Sequence, residues 1–236
     1  MVSIVCAVMN RTPALRVALA SWVLQGDVRE IVIVDWGSTV PLAPLAQTDD
    51  RIRIVRVENE RHFHLAAALN LAADCATQPV LLKLDADYVL NPYYDFCASH
   101  PLPEQGFFTG HWRHRGPFTE FLNGLVCIRA ADWRHVLGYN EHLEGYGWED
   151  DDFYTRLAAA GLNRWVLSPA TPTAFHIPHG HDVRVEHYED KDRQRSHEKN
   201  REHATAIPYA GRRFAWDLSP VAMRVRQATK RLAGTT

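Results

Sequence analysis

Residues 2–35, "VSIVCAVMNRTPALRVALASWVLQGDVREIVIVD", contain two apolar runs separated by a helical stretch. The runs at residues 2–8 and 30–35 are almost continuously apolar, which is typical of parallel strands that are buried on both faces. Between them, Thr12 and Pro13 are suited to the N-cap and the first helical position. Apolar residues then recur at the spacing of one helix face, at Leu15, Ala18, Leu19, Trp22 and Val23. The stretch therefore predicts a strand, a crossover helix and a second, parallel strand.

The same alternation continues along the chain. "RIRIVRV" at residues 51–57 alternates with period two and predicts a third, less deeply buried strand, and residues 65–76 predict an alanine-rich helix. "PVLLKLDAD" at residues 79–87 predicts a fourth strand that ends at two aspartates. The second half predicts strands at residues 106–112, 123–129 and 163–167 and short helices at 130–137 and 153–160. We therefore predict an α/β fold with a mostly parallel twisted sheet flanked by helices.

The composition changes after residue 181. The following segment, "VRVEHYEDKDRQRSHEKNREH", is almost wholly polar and predicts either a solvated helix or a mobile flap. We expect one domain over residues 1–181, with halves 1–100 and 101–181, followed by a polar C-terminal appendage at 182–236 with a basic tail.

The chain has 236 residues, of which 46% are hydrophobic and 23% charged, and its formal net charge is -2. These values are typical of a globular protein and give no overall attraction to nucleic acid or to an anionic membrane. The N-terminal apolar run is too short to span a bilayer and follows no basic leader, so we expect a cytoplasmic protein without a membrane span. The four cysteines lack a metal-type spacing and are expected to be free thiols: Cys6, Cys75, Cys97 and Cys127.

In an open parallel sheet, ligands bind at the carboxyl ends of the strands. The residues that follow the four predicted strands are Asn10 and Arg11, Asp35 and Trp36, residues 58–61, and Asp85 and Asp87. Asp85 and Asp87 stand at alternate positions, so they can reach one divalent cation, or one cation and one sugar hydroxyl. Magnesium and manganese ions are usually held by a few carboxylates together with substrate phosphates. The pair therefore outlines a site for the diphosphate of a sugar nucleotide.

Residues 145–153, "GYGWEDDDF", place four acids after two glycines and two aromatics. One interpretation is structural, because acids in a first helical turn interact favourably with the unpaired N–H groups. The other is a carboxylate cluster that meets a hydroxyl, a sugar or a metal, with Tyr146 and Trp148 as a stacking floor. The two interpretations are compatible if the helix presents its first acids to a ligand.

Five segments together resemble the inverting glycosyltransferases of GT-A fold. They are, in chain order, "VSIVCAVMNR", "IVIVDWGS", "NLAADCATQPVLLKLDAD", "NGLVCIRAADW" and "GYGWEDDDFYTRLAAAG". The first parts are similar to glycosyltransferase family 2, and "GYGWEDDD" is similar to the motif of β-1,4-galactosyltransferases and of the chondroitin-polymerase type of bacterial transferase. The resemblance covers residues 2–181.

For the acceptor side, the resemblance implies that Asp150 is the catalytic base and that Glu149 binds sugar hydroxyls. Tyr146 and Trp148 would form part of the sugar platform. We expect Trp112, in "GHWRHRG", to be a further acceptor contact.

For the donor side, the resemblance implies that Asp87 and His176 hold Mn²⁺ or Mg²⁺ and that Asp85 lies near the ribose or donor sugar. Asp35 matches an acid that hydrogen-bonds the nucleobase. The other candidates for the nucleotide site are Asn10, Arg11, Trp36 and Lys83.

Several of these positions keep two interpretations. Trp36 stands where the family often has a second acid, and it either stacks on the base or fills a wall. Arg11 and Lys83 either meet the diphosphate or pair with acids. In "HIPHGH", zinc is not favoured because no cysteine accompanies the histidines. We interpret His179 and His181 as loop histidines or substrate contacts.

We expect a metal-dependent inverting glycosyltransferase that moves a hexose or N-acetylhexosamine from a UDP-sugar to a hydroxyl of a glycan or glycolipid, during cell-surface polysaccharide or glycolipid synthesis. One alternative is a sugar nucleotidyltransferase, but such an enzyme needs a glycine-rich loop after the first strand, where this chain has "VMNRTPAL". Another is a non-catalytic carbohydrate-binding protein on a degenerate transferase fold. A short basic C-terminal helix, with Arg224, Arg226, Lys230 and Arg231, either gives weak peripheral membrane contact or is a packing or oligomer element.

Overall fold

The computed structural model describes residues 1–111, 118–168 and 173–218, together with the backbone of residues 225–228 and 230–232. Trp112 lies outside the described residues. The first half consists of β1 (Val2–Val8), α1 (Thr12–Trp22), β2 (Val28–Trp36), β3 (Ile52–Val57), α2 (Leu65–Cys75) and β4 (Val80–Lys83). The second half consists of β5 (Tyr88–Leu90), α3 (Phe96–Ser99), β6 (Gly106–Thr109), β7 (Val126–Arg129), α4 (Ala130–His135), α5 (Glu149–Ala159), β8 (Asn163–Val166), β9 (Ala174–His176), α6 (His181–Val185), α7 (Arg193–Ala206), β10 (Phe214–Trp216), β11 (Val225–Ala228) and β12 (Lys230–Leu232).

Eight strands form one sheet in the order β11-β3-β2-β1-β4-β7-β6-β8. The four neighbouring pairs from β11 to β4 are parallel, as is the pair β6–β8, whereas β7 runs antiparallel to β4 and to β6. The prediction of an α/β fold with a mostly parallel sheet is confirmed. The first helix differs in one detail, because Arg11 occupies the N-cap position and Thr12 is already helical.

Helices cover both faces of the sheet, which explains why its central strands are continuously apolar. Every residue of β1 is buried, and its side chains alternate between two cores. Val5 contributes to the core on the side of α2, whereas Ile4 contributes to the core with Leu15 and Trp22 of α1. Because these strands are buried on both faces, polar side chains that bind a ligand lie beyond their carboxyl ends.

A separate ribbon brings a distant segment to that end of the sheet. Strand β5 follows directly after the two aspartates of "DAD", and it pairs antiparallel with β9. In this register Tyr88 is opposite His176, and the N–H of Ile177 donates to the carbonyl of Asp87 at 2.8 Å. The ribbon therefore places the predicted metal histidine beside the predicted metal aspartate.

From residue 181 onward, the described residues form helices α6 and α7 and contribute a strand to the main sheet. Strand β11 pairs in parallel with β3, and β12 pairs with β10. The expectation of a basic C-terminal helix is wrong, because residues 225–228 and 230–232 are strands. Among the described residues, no helix combines the length and the apolar character that a bilayer crossing requires. The four cysteines are free, as predicted.

Candidate active site

A cleft of about 910 Å³ opens at the carboxyl end of the sheet. Its walls come from the end of β1, the turn between β4 and β5, the "GYGWED" segment and the residues from His176 to His197. Most of the residues that the sequence predicted for the site line this cleft: Arg11, Lys83, Asp85, Asp87, Tyr146, Trp148, Glu149, Asp150 and His176.

Asp87 and two histidines form a group that is able to hold a metal ion. One ligand atom from each of Asp87, His176 and His179 lies within 4.8 Å of the others. The Nε2 atoms of His179 and His176 are 3.1 Å and 3.9 Å from Asp87 Oδ2, and the Arg11 guanidinium is 2.8 Å from the same oxygen. His179 thus belongs to the group, a role that the sequence analysis did not assign to it.

The electrostatics of this group suit a ligand set. Burial acts to raise the pKa of Asp87, but the hydrogen bond with His179 and the charges of His176 and Arg11 hold that pKa below its ordinary value. Burial lowers the pKa of His176 more than the charge of Asp87 raises it, which favours the neutral imidazole. An ionised carboxylate and a neutral imidazole are the protonation states that bind a divalent ion, so the residues present fit Mn²⁺ or another such metal.

A second group joins the two predicted acidic motifs. Lys83 is fully buried, and its Nζ is 2.8 Å from Asp85 Oδ1 and 3.8 Å from Asp150 Oδ1. The hydroxyl of Tyr139 donates to Asp150 Oδ1 at 2.8 Å. Of the two interpretations of Lys83, the structure therefore supports pairing with acids.

Burial and like charge shift the protonation of the acids in this group. Burial and the neighbouring Asp150 raise the pKa of Glu149 to about 8. Burial also raises the pKa of Asp150, although Lys83 and the hydrogen bond from Tyr139 act in the opposite direction. A carboxylate with a raised pKa beside a cleft is a candidate for proton transfer.

The two glycines of "GYGW" shape the loop that carries the aromatics. Gly145 and Gly147 have φ of +82° and +92°, and a Cβ on Gly147 would lie 2.7 Å from His197 of α7. Ser196 Oγ accepts a hydrogen bond from the N–H of Tyr146 at 2.8 Å. Asn200 Nδ2 donates to the carbonyl of Gly147 at 2.8 Å. Helix α7 therefore holds the loop, so the polar segment is more than a solvated face.

Three of the predicted nucleotide-site residues do not line the cleft. Asp35 is fully buried, and its carboxylate accepts hydrogen bonds from the N–H groups of Ser38 and Leu42 and from Arg56. Trp36 is also fully buried and fills a wall, where its ring packs edge to face on Trp216 at 5.8 Å.

The third of these residues is Asn10. Its Oδ1 accepts the N–H of Thr39, so Asn10 braces a turn. Sequence reasoning assigned no role to Tyr139, Ser196 or Asn200, and their only signal was polar character within or beside helices.

Two family models match consecutive parts of the chain. The model of glycosyl transferase family 2 matches residues 3–96, and the model described as the N-terminal domain of galactosyltransferase matches residues 106–180. Human β-1,4-galactosyltransferase 5 is 33% identical over 72 residues, which are 30% of this chain and 18% of that protein. The succinoglycan biosynthesis protein ExoU of Rhizobium meliloti strain 1021 is 28% identical over 207 residues, with 70% of this chain and 59% of that protein covered. The chain thus spans less than two thirds of the length of these relatives.

The catalytic domain of Drosophila β-1,4-galactosyltransferase 7, solved with xylobiose, superposes with a TM-score of 0.61 at 15% identity and covers 98% of this chain and 93% of that one. A mutant of the same enzyme, solved with manganese, UDP-Gal and xylobiose, has a TM-score of 0.60 at 15% identity and covers the same shares. The architecture is therefore the GT-A fold. The two family models, which account for both halves of the site, support a glycosyltransferase.

Proposed function

We propose that this protein is a metal-dependent inverting glycosyltransferase that moves a hexose or N-acetylhexosamine from a UDP-sugar to a hydroxyl of a glycan or glycolipid. The observation that carries the proposal is the presence, in one cleft, of the Asp87–His176–His179 group and the Asp150–Lys83–Asp85 group. The first has the chemistry of a diphosphate-bound metal site, and the second has the chemistry of a general base. The UDP-Gal and manganese in the complex of the Drosophila enzyme support this choice of donor and ion.

The roles of the two halves follow from the elements that supply these groups. We propose that residues 1–100 bind the nucleotide of the donor, with Arg11 and Asp87 at the diphosphate and Asp85 at the ribose or sugar, and that His176 and His179 of the second half complete the metal group. We propose that residues 101–181 bind the acceptor, with Tyr146 and Trp148 beside the sugar. Asp35 and Trp36 shape the wall behind the nucleotide without contacting it, because both are fully buried.

The proposed step needs one base and no covalent intermediate. The acceptor oxygen forms a bond to the anomeric carbon while the bond from that carbon to the phosphate oxygen breaks, and the acceptor proton passes to Asp150. A divalent ion at Asp87, His176 and His179, when bound, neutralises charge on the departing nucleoside diphosphate. Attack on the face opposite the leaving group inverts the configuration. General base assistance of this kind contributes about 10²–10⁴-fold to the rate.

We further propose that the reaction belongs to polysaccharide or glycolipid synthesis at the cytoplasmic side of a membrane; the similarity to ExoU, a succinoglycan biosynthesis protein, supports the polysaccharide part of this proposal. The basic residues near the C-terminus would give the weak attraction to anionic lipid. Sedimentation with vesicles of phosphatidylglycerol and phosphatidylcholine tests this contact, and a protein that stays in the supernatant at low salt would exclude it.

The first experiment is thermal stabilisation by UDP, GDP, CMP and TDP, each with and without MnCl₂, followed by donor turnover with the stabilising nucleotide. A ligand of the folded state raises the melting temperature with its occupancy. We expect stabilisation by UDP that depends on manganese. Asp150→Asn should retain this stabilisation and lose about 10²–10⁴-fold in turnover, as expected for removal of a general base. Stabilisation by no nucleotide would favour a non-catalytic carbohydrate-binding protein.

A further inference from the structure

Lys83 is a charged side chain in a place where charge is costly. It lies at the end of β4, in the middle of the sheet, and its side chain is 1% exposed. An unpaired ammonium group at such a site would be strongly destabilising, so its neighbours must balance it. Those neighbours are Asp85 at 2.8 Å and Asp150 at 3.8 Å, with the ring of Tyr139 at 5.9 Å from the Nζ.

The space around the ammonium group depends on a glycine. A Cβ on Gly124 would lie 2.9 Å from Lys83 Nζ and 2.7 Å from Asp85 Oδ2. A Cβ at this distance would displace one of these two side chains, so glycine at this position leaves room for the ion pair in its observed geometry. Gly124, on the loop before β7, is therefore a second position of the sequence that makes room for the buried lysine.

Lys83 and Tyr139 act on the same oxygen of Asp150. The Tyr139 hydroxyl donates to Oδ1, and the ammonium of Lys83 faces Oδ1 as well. Within the described part of the chain, no hydrogen bond to Oδ2 is formed, and Asp150 lines the cleft. One carboxylate oxygen is thus fixed by the protein, which leaves the other to meet a ligand.

We propose that Lys83 is a positioning residue that keeps the general base ionised and oriented, with Asp150 Oδ1 held by the protein and Oδ2 directed to the acceptor hydroxyl. The inference rests on the proposed function. Because Lys83 also pairs with Asp85, its charge links the donor side of the cleft to the base. Loss of that charge would leave Asp150 beside Glu149, Asp85 and Asp151 with the Tyr139 hydroxyl as its remaining hydrogen-bond donor, and its proton affinity would rise.

The groups that act on Asp150 come from several elements. They are Lys83 of β4, Asp85 and Tyr88 of the next turn and strand, Tyr139, the α5 residues Glu149, Asp151 and Tyr154, and Tyr188. Within the part of the chain that the structure describes, Lys83 is the only cation among these groups. Burial alone would lower the pKa of Lys83, but Asp85 and Asp150 hold it above its ordinary value, so the lysine stays charged at neutral pH.

The test compares Lys83→Met, which removes the charge at similar volume, with the wild-type chain. The acid limb of the pH profile of kcat should move upward by about one unit or more, because an opposite charge at this distance depresses a carboxyl pKa by about 1–3 units. At pH 6, kcat should fall by about tenfold or more and recover as the pH rises, while KM for the donor changes by less than about threefold. An acid limb that stays in place, with a loss of kcat equal at every pH, would reduce Lys83 to a structural role.

A second readout does not need turnover. The carboxyl carbon of Asp150 is assigned in ¹³C spectra of aspartate-labelled protein by its absence in Asp150→Asn, and its pKa is then titrated in both chains. A pKa that rises in Lys83→Met supports the inference, and an unchanged pKa overturns it, whether or not any donor is turned over. Failure of the wild-type chain to transfer any sugar would instead refute the proposed function. If Lys83→Met does not fold, Lys83→Gln provides the same comparison, because its amide still donates to Asp85.

Discussion

Helix α7 is expected to determine the geometry of the "GYGW" loop, and Asn200→Ala tests this. Asn200 is 2% exposed, and its amide donates to the carbonyl of Gly147 at 2.8 Å. Removal of the donor leaves a partly buried carbonyl without that partner, and full loss of such a bond in a buried site costs about 1–3 kcal/mol. The higher helix propensity of alanine offsets less than about 0.7 kcal/mol of this loss. We therefore expect a net loss of about 1–2 kcal/mol, or about 2–8 °C in Tm for a chain of this size.

The consequence for activity follows from the position of the loop. Gly147 directly precedes Trp148 and the two acids at the start of α5, so a looser loop displaces the proposed base. We expect turnover to fall by about tenfold, which corresponds to about 1.4 kcal/mol of lost transition-state stabilisation. Manganese-dependent stabilisation by UDP should be retained, because the metal group lies on other elements.

The assay combines thermal unfolding with initial rates, and Glu202→Ala is the matched control. Glu202 is exposed on the same helix, so its truncation tests the helix without touching the loop. If Asn200→Ala and Glu202→Ala melt together and turn over at the wild-type rate, α7 does not hold the loop.

Two further predictions concern protonation and metal binding. His179→Ala should reduce the manganese-dependent stabilisation by UDP, because it removes a member of the metal group. His181→Ala is the control and should leave that stabilisation unchanged, because His181 is exposed and lies outside the group. An equal loss in both variants would exclude His179 as a ligand. Burial and Asp150 raise the pKa of Glu149 from 4.5 to about 8, so its contribution to stability is complete below about pH 4.5 and is lost as the pH rises through 8. Glu149→Gln should therefore show a smaller decline in Tm between pH 5 and 8 than the wild-type chain, and parallel Tm curves would contradict the raised pKa.

The fold was predictable because its central strands are buried on both faces. Such strands have to be continuously apolar, so β1, β2 and β4 stand out from the amphipathic helices between them. The prediction for the C-terminal segment was wrong because the local sequence pattern does not determine its structure. The basic residues near the C-terminus read as a helix, yet the backbone of residues 225–228 pairs with β3, a long-range contact that composition does not encode.

The sequence predicted those residues of the candidate site whose chemistry follows from their residue type and motif, but not the contacts that depend on tertiary packing. Asp87 and His176 were identified from their motifs, and the ribbon of β5 and β9 brings them together. Asp35 has the predicted residue type after the predicted strand, but its carboxylate bonds its own turn and Arg56, contacts that the motif position alone does not reveal. The contact between Lys83 and Asp150 depends on the packing of α5 against the sheet, which neither segment specifies by itself.

The repulsion among the four acidic residues at 149–152 is limited because their carboxyl groups lie in different environments. Successive residues of a helix point about 100° apart, so the four carboxylates diverge, and the helix N-terminus favours each of them. Asp151 is exposed, and Asp152 pairs with Arg156 at 2.7 Å. Glu149, Asp150 and Asp151 all line the cleft, and the repulsion between Glu149 and Asp150 is relieved by a proton, since a Glu149 pKa of about 8 keeps most of this residue neutral at pH 7. The pair therefore holds one proton. The neutral carboxyl group of Glu149 is able to donate a hydrogen bond to a sugar hydroxyl, and the carboxylate of Asp150 is able to accept one.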